Sequence, residues 1–98
     1  MGLTEQEAAL KGIAVEVRKL PLAYSGRFVA ENERGEGLCK MVLDASGGRI
    51  LGVHMLGNPC SEIIQSACMA IEKGMRASDH QTVVFPHPTV SEILKELI

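Results

Sequence analysis

Aromatic side chains are scarce: the 98 residues include no tryptophan, one tyrosine and two phenylalanines. A core of normal density then has to be built from Val, Ile, Leu and Met. Neither sign of charge dominates, since 10 basic and 12 acidic side chains leave a net charge of −2. That balance offers no attraction to nucleic acid or to an anionic membrane. The longest apolar runs, around Ile50-Leu51 and Ile63-Ile64, fall far short of the roughly 20 residues that cross a bilayer. The acidic start Met1-Gly2-Leu3-Thr4-Glu5 lacks a signal-peptide pattern, so a soluble cytoplasmic protein is expected. The length suits one domain.

Other absences concern chemistry. Cys39, Cys60 and Cys68 are an odd number at irregular spacing, with no C-x-x-C. A zinc knuckle or a thioredoxin-type motif is therefore excluded, and the three are expected to be buried, reduced thiols. No mixture of Cys and His has the spacing of a metal site, so no metal is expected. Gly35-Glu36-Gly37 is followed by Leu38 and Cys39, not by a third glycine opening a helix; it is not a dinucleotide fingerprint.

The remainder is a legible series of elements. Thr4-Glu5-Gln6-Glu7 reads as a capping box, with Thr4 as N-cap and Glu7 reaching back, opening a short helix that Gly12 ends. Ile13, Val15 and Val17 alternate with Ala14, Glu16 and Arg18, the period of a half-buried strand closed by Pro21. Residues 22–37 read as a connection with one helical turn. Leu38 to Asp44 and Arg49 to Leu56 are strands joined at Ala45-Ser46-Gly47-Gly48, a hairpin. Asn58 and Pro59 open a helix as N-cap and first residue. Its apolar face is Ile63, Ile64, Ala67, Cys68, Ala70 and Ile71, and Gly74 ends it. Ser78 or Asp79 is expected to cap a further turn. After Pro86 and Pro88, Thr89-Val90-Ser91-Glu92 forms a second capping box before Ile93, Leu94, Leu97 and Ile98. The order predicts an α+β domain, an antiparallel sheet with helices packed on one side.

Three histidines are present. His54 lies mid-strand and reads as a residue packed or solvated there; His80, within Ser78-Asp79-His80-Gln81, reads as solvent-facing. His87 differs because Pro86 and Pro88 flank it. Each proline restricts its own φ and the residue before it, and the His87–Pro88 bond is a candidate for cis. A rigid mount suits a general base, whose placement governs its rate contribution. Glu92 has two readings: the third residue of the Thr89 capping box, or a carboxylate that holds one ring nitrogen of His87 and makes the other a better base. The residues alone leave both open, and do not say whose proton His87 would take. A Cys60–His87 nucleophile pair lacks any spacing support.

The string Phe85-Pro86-His87-Pro88-Thr89-Val90-Ser91-Glu92 resembles the C-terminal signature of the flavin-dependent pyridine nucleotide–disulfide oxidoreductases, and within them the dihydrolipoamide dehydrogenase type. Gly2-Leu3-Thr4-Glu5-Gln6-Glu7-Ala8 is similar to the start of that family's dimerisation domain. Gly37 to Asp44 with Ile50 to His54 is similar to its central hairpin, and Gly57 with Ser61-Glu62-Ile63-Ile64 to the start of its long helix. The resemblance covers residues 1–98 and implies a dimerisation domain, with the FAD and NAD domains absent from this chain. It implies that His87 and Glu92 are a catalytic acid/base pair supplied to the redox disulfide of the other subunit. His87 would take a proton from a dihydrolipoamide thiol, whose thiolate is the attacking species. Its backbone would also lie beside the partner subunit's FAD. Implied partners are a second copy, the parent enzyme's FAD and NAD domains, and lipoyl domains of 2-oxo acid dehydrogenase complexes. With no C-x-x-x-x-C and no cofactor fingerprint, an excised or truncated domain is expected, inactive and cofactor-free by itself. The alternative is a stand-alone dimerisation or interaction module without catalysis.

Overall fold

A computed structural model describes residues 1–22, 37–58 and 60–98. Helix α1 spans Glu5–Leu10, and strands β1, β2 and β3 span Val15–Pro21, Leu38–Asp44 and Ile50–Leu56. Helix α2 follows at Cys60–Glu72 and α3 at Ala77–His80; a 3-10 turn at Val90–Glu92 leads into α4 at Ile93–Glu96. The strands form one antiparallel sheet in the order β1-β2-β3. This is the expected α+β architecture, with β1 starting two residues later and β3 one residue later than the alternation predicts. The expected turn within 22–37 and the Pro59 helix start fall on residues outside the described ones.

Local chemistry explains most boundaries. The Thr4 hydroxyl oxygen accepts from the Glu7 backbone N–H at 3.1 Å, and in turn donates to Glu7 Oε1 at 3.2 Å. The Glu7 carboxylate thus meets the Thr4 side chain and not, as a capping box would have it, the Thr4 backbone. At the end of α2, Gly74 takes φ +65°, and the Met75 N–H then closes back on the Ala70 carbonyl at 2.9 Å. Only a residue without Cβ does this at little cost. Neither Ser78 nor Asp79 is an N-cap: α3 begins after Arg76, whose backbone N–H donates to Asp79 Oδ2 at 2.8 Å.

Register sorts the side chains between the two sheet faces. Met41 pairs with Arg18 and Val53, and Cys39 with Leu20 and Met55, so these share one face. There the core gathers Leu22, Cys39, Met41, Leu43, Ile50 and Val53 with Ala67 and Ala70 of α2, and with Val90, Ile93, Leu94 and Leu97 of the C-terminal segment. It is aliphatic, as the shortage of aromatics required. Arg18 Nη1 donates to the Leu97 carbonyl at 3.0 Å and ties that segment over β1.

Lys40 pairs with Lys19 and His54, and Val42 with Val17 and Gly52, on the opposite face. There Lys40 Nζ reaches Glu5 Oε1 of α1 at 2.8 Å. Val42 and Ala8 are buried outside the main core. The later helices therefore share a face as predicted, while the short α1 covers the other. The alternating Ile13, Val15 and Val17 serve this smaller layer and are half-buried.

Residues Met1 to Leu3 extend the sheet. Met1 and Val53 exchange backbone hydrogen bonds at 2.9 Å, and the Leu3 N–H donates to the Leu51 carbonyl at 2.9 Å. A bulge beside Val42 and Leu43 shifts the β3 register there. His54 is half-buried, and its Nε2 donates to the Leu3 carbonyl at 2.9 Å. Among the described residues no helix is long and apolar enough to cross a membrane.

Candidate functional site

The C-terminal segment is built outward from its anchors. Val90, Ile93, Leu94 and Leu97 sink into the core, which fixes the turn and α4 against the sheet and leaves Glu92 on the outer side. Phe85 packs against the same core, while Pro86, His87 and Pro88 arch over the surface. The His87–Pro88 bond is cis. The Thr89 hydroxyl donates to the Pro86 carbonyl at 2.7 Å and accepts from the Ser91 hydroxyl at 3.1 Å. These bonds tie the arch to the turn that carries Glu92. The sequence assigns Thr89 a capping role alone; its position three residues after Pro86 is the signal for this second one.

One oxygen of Glu92 meets both groups that its two readings name. Its Oε1 accepts from the Thr89 backbone N–H at 2.8 Å and from His87 Nδ1 at 2.9 Å, with Oε2 3.1 Å from the same nitrogen. The Thr89 N–H, followed by the His87 ring, holds the Glu92 carboxyl below the ordinary carboxylate range, with Lys95 adding to the effect. An ionised carboxylate only accepts hydrogen bonds. His87 must then carry its proton on Nδ1, and in the neutral ring Nε2 becomes the basic nitrogen. The His87 side chain is 80% exposed, so this imidazole is presented outward on a braced arch.

The remaining candidates are elsewhere. His80 is buried, 6% exposed, with its ring 6.1 Å from that of Phe85, and its Nδ1 has no hydrogen-bond partner among the described residues. The expectation that it faces solvent is wrong. Its polar neighbours in sequence point outward, but as the last residue of α3 it turns inward onto the Phe85 side. Cys39 is buried as expected, whereas Cys60 and Cys68 are half-buried. Burial pushes the Cys39 thiol up to about 12, with the nearby Cys60 adding to it, and raises Cys60 as well. Neither is poised as a nucleophile. Among the described residues no three His, Cys, Asp or Glu side chains gather as a metal site.

The fold is thus a small α+β module that braces an imidazole with a carboxylate and exposes it at its surface. Residues 1–98 match the family model of the pyridine nucleotide-disulphide oxidoreductase dimerisation domain, and the chain belongs to that family. It is 43% identical over 96 residues to a dihydrolipoyl dehydrogenase of Thermus scotoductus, covering 98% of this chain and 21% of that protein. It is 40% identical over 96 residues to the mitochondrial dihydrolipoyl dehydrogenase of Schizosaccharomyces pombe, covering 98% and 19%. Among solved structures, the HOCl-induced flavoprotein disulfide reductase RclA from Escherichia coli superposes with a TM-score of 0.88 at 31% identity, covering 98% of this chain and 22% of that one. The chain thus spans about a fifth of the length of these relatives.

Proposed function

We propose that this chain is the dimerisation domain, residues 1–98, of a flavin-dependent dihydrolipoamide dehydrogenase, and that it supplies His87 and Glu92 as an acid/base pair to the redox disulfide of the second subunit. The observation that carries this reading is the geometry at Glu92: a carboxylate held ionised by Thr89 directs the His87 proton to Nδ1 and leaves Nε2 exposed as the base. Nε2 takes the proton of a dihydrolipoamide thiol. The thiolate attacks one disulfide sulfur of the second subunit, forming a mixed disulfide and releasing the other sulfur as thiolate. The second dihydrolipoamide thiol then displaces the mixed disulfide, so lipoamide leaves oxidised and the enzyme dithiol holds the two electrons. An ordinary thiol titrates near ~8.5, so a positioned base raises the reactive fraction at neutral pH.

FAD and NAD, held by the other domains of the parent enzyme, supply the electron acceptors. The exposed position of His87 suits a contact of its backbone with the partner subunit's FAD. In this reading the partners are a second copy, the FAD and NAD domains, and lipoyl domains of 2-oxo acid dehydrogenase complexes. A cytoplasmic location fits the free cysteines among the described residues, which a reducing compartment preserves. The test is His87→Gln in the whole enzyme. Turnover with dihydrolipoamide is expected to fall about 10²–10⁴-fold with FAD still bound; near-normal turnover would reduce His87 to a structural residue.

A further inference from the structure

Sulfur gathers where β3 gives way to α2. Met55, near the end of β3, pairs across the sheet with Cys39 and so shares the face that α2 covers. Cys60 is the first residue of α2. Both are half-buried and pack against the core. Met1 is held beside Val53 by their exchanged backbone hydrogen bonds at 2.9 Å. Met1, Met55 and Cys60 line one cavity of about 290 Å³, whose walls also include Val53 and Ile64. Among the described residues no Asp, Glu, Lys or Arg lines it. His54 lines it too, but its Nε2 is engaged with the Leu3 carbonyl and it pairs with Lys40 on the opposite face.

We propose that this cavity is a Cu(I) site, with the Cys60 thiolate and the Met55 and Met1 thioethers as its ligands. It is independent of the dimerisation reading and of His87. Ligand type makes the first choice. Thiolates and thioethers are soft donors that select Cu(I), whereas Mg²⁺, Ca²⁺ and Mn²⁺ call for oxygen. Zinc is held by Cys, His and carboxylates, and among the described residues no three of these gather. Charge makes the same choice. One thiolate and two neutral thioethers balance one monovalent cation, so no net charge is buried. A divalent ion would leave positive charge against Val53 and Ile64, which is costly. Burial raises the Cys60 thiol above its ordinary value, so binding is an exchange. The S–H bond breaks, the S–Cu bond forms and the proton passes to water, with no electron moved. The donors stand on elements already fixed by core packing and strand pairing, so little ordering is left for the ion to impose.

The test is anaerobic competition for Cu(I) between the 98-residue chain and a chelator of known affinity, with X-ray absorption to identify the donor atoms and circular dichroism to follow the fold. The wild type is expected to take one Cu(I) per chain into a shell of sulfur, and to leave Zn²⁺ unbound. Loss of a group that only orients a ligand already weakens a metal site about 10–100-fold. Cys60→Ser is therefore expected to weaken Cu(I) binding about a hundredfold or more. Met55→Leu keeps the side-chain volume and is expected to weaken it about tenfold with the fold unchanged; this variant carries the test if the Ser variant does not fold. Cys68→Ser is expected to bind as the wild type does, because Cys68 lines a different cavity. A wild type that takes no Cu(I) from the chelator, or that holds it through nitrogen or oxygen, would overturn the site. Unchanged affinity in Cys60→Ser or in Met55→Leu would overturn the ligand assignment, as would loss of binding in Cys68→Ser.

Discussion

His87 Nδ1 and the Thr89 backbone N–H share one acceptor, Oε1 of Glu92, at 2.9 and 2.8 Å. Helix capping and imidazole orientation are therefore a single interaction, and neither can be removed alone by changing Glu92. Glu92→Gln keeps an acceptor for one donor and loses the charge. Nitrogen NMR of the neutral ring is expected to show the Nδ1–H tautomer in the wild type and a mixture in the Gln variant. In the whole enzyme the same change should lower turnover less than His87→Gln does. A wild-type ring found as Nε2–H would sink the assignment of Nε2 as base.

Acid should weaken the fold through three carboxylates. The Thr89 N–H lowers the titration of Glu92, the Ser46 N–H that of Asp44, and a hydrogen bond from Lys40 that of Glu5. In the unfolded chain these groups return to their ordinary values, near ~3.9 for Asp and ~4.3 for Glu. Just below those values the unfolded state binds more protons than the folded one. The stabilisation is thus complete above the ordinary values and is lost as pH falls through the lowered, folded ones. Thermal unfolding between pH 7 and pH 3 should show stability falling in that acid window, with a smaller fall in Glu92→Gln. Equal slopes in the two proteins would remove Glu92 from this account.

Gly52 is held by proximity. A Cβ placed there would collide with the Leu3 carbonyl oxygen, which is backbone and cannot swing away. The Gly52→Ala variant should lose stability by about 1–3 kcal/mol, the usual cost of overpacking. Protection of the Leu3 amide from hydrogen exchange should fall with it, because the Leu3–Leu51 bond lies at the same contact. Wild-type denaturant stability in this variant would contradict the close approach.

Cys39 should resist alkylation in the folded state. With its thiol pushed up to about 12, its thiolate fraction at neutral pH is on the order of a thousandfold below that of an ordinary thiol. Mass spectrometry after iodoacetamide treatment should find Cys39 unmodified until denaturant is added. Rapid labelling of Cys39 in the native protein would show that β2 opens locally.

Patterns local in the chain are legible in the amino-acid order itself. The apolar run of Leu38 to Asp44 and the helical spacing from Ile63 to Ile71 recur as β2 and α2. The His87-Pro88 constraint with Glu92 at the third position of a cap recurs as a bonded pair. In each case the interacting residues are near neighbours, so spacing alone places them together.

What tertiary structure decided depended on partners distant in the chain. Nothing near His80 signals that it turns inward, because it meets Phe85, and a cavity shared with Met69 and Ala70 of α2, only once α3 is docked. The face of the sheet that α1 would take was equally hidden, since it follows from the Lys40–Glu5 contact and from the Met1–Leu3 pairing with β3. Periodicity says which residues share a side and not what will cover it. The sequence by itself determined the aliphatic core, the hairpin and the Pro-His-Pro mount, since these depend on side-chain type and short-range geometry. Folding decided which imidazole is exposed and which is buried, because burial is a property of the whole packed chain and of no segment alone.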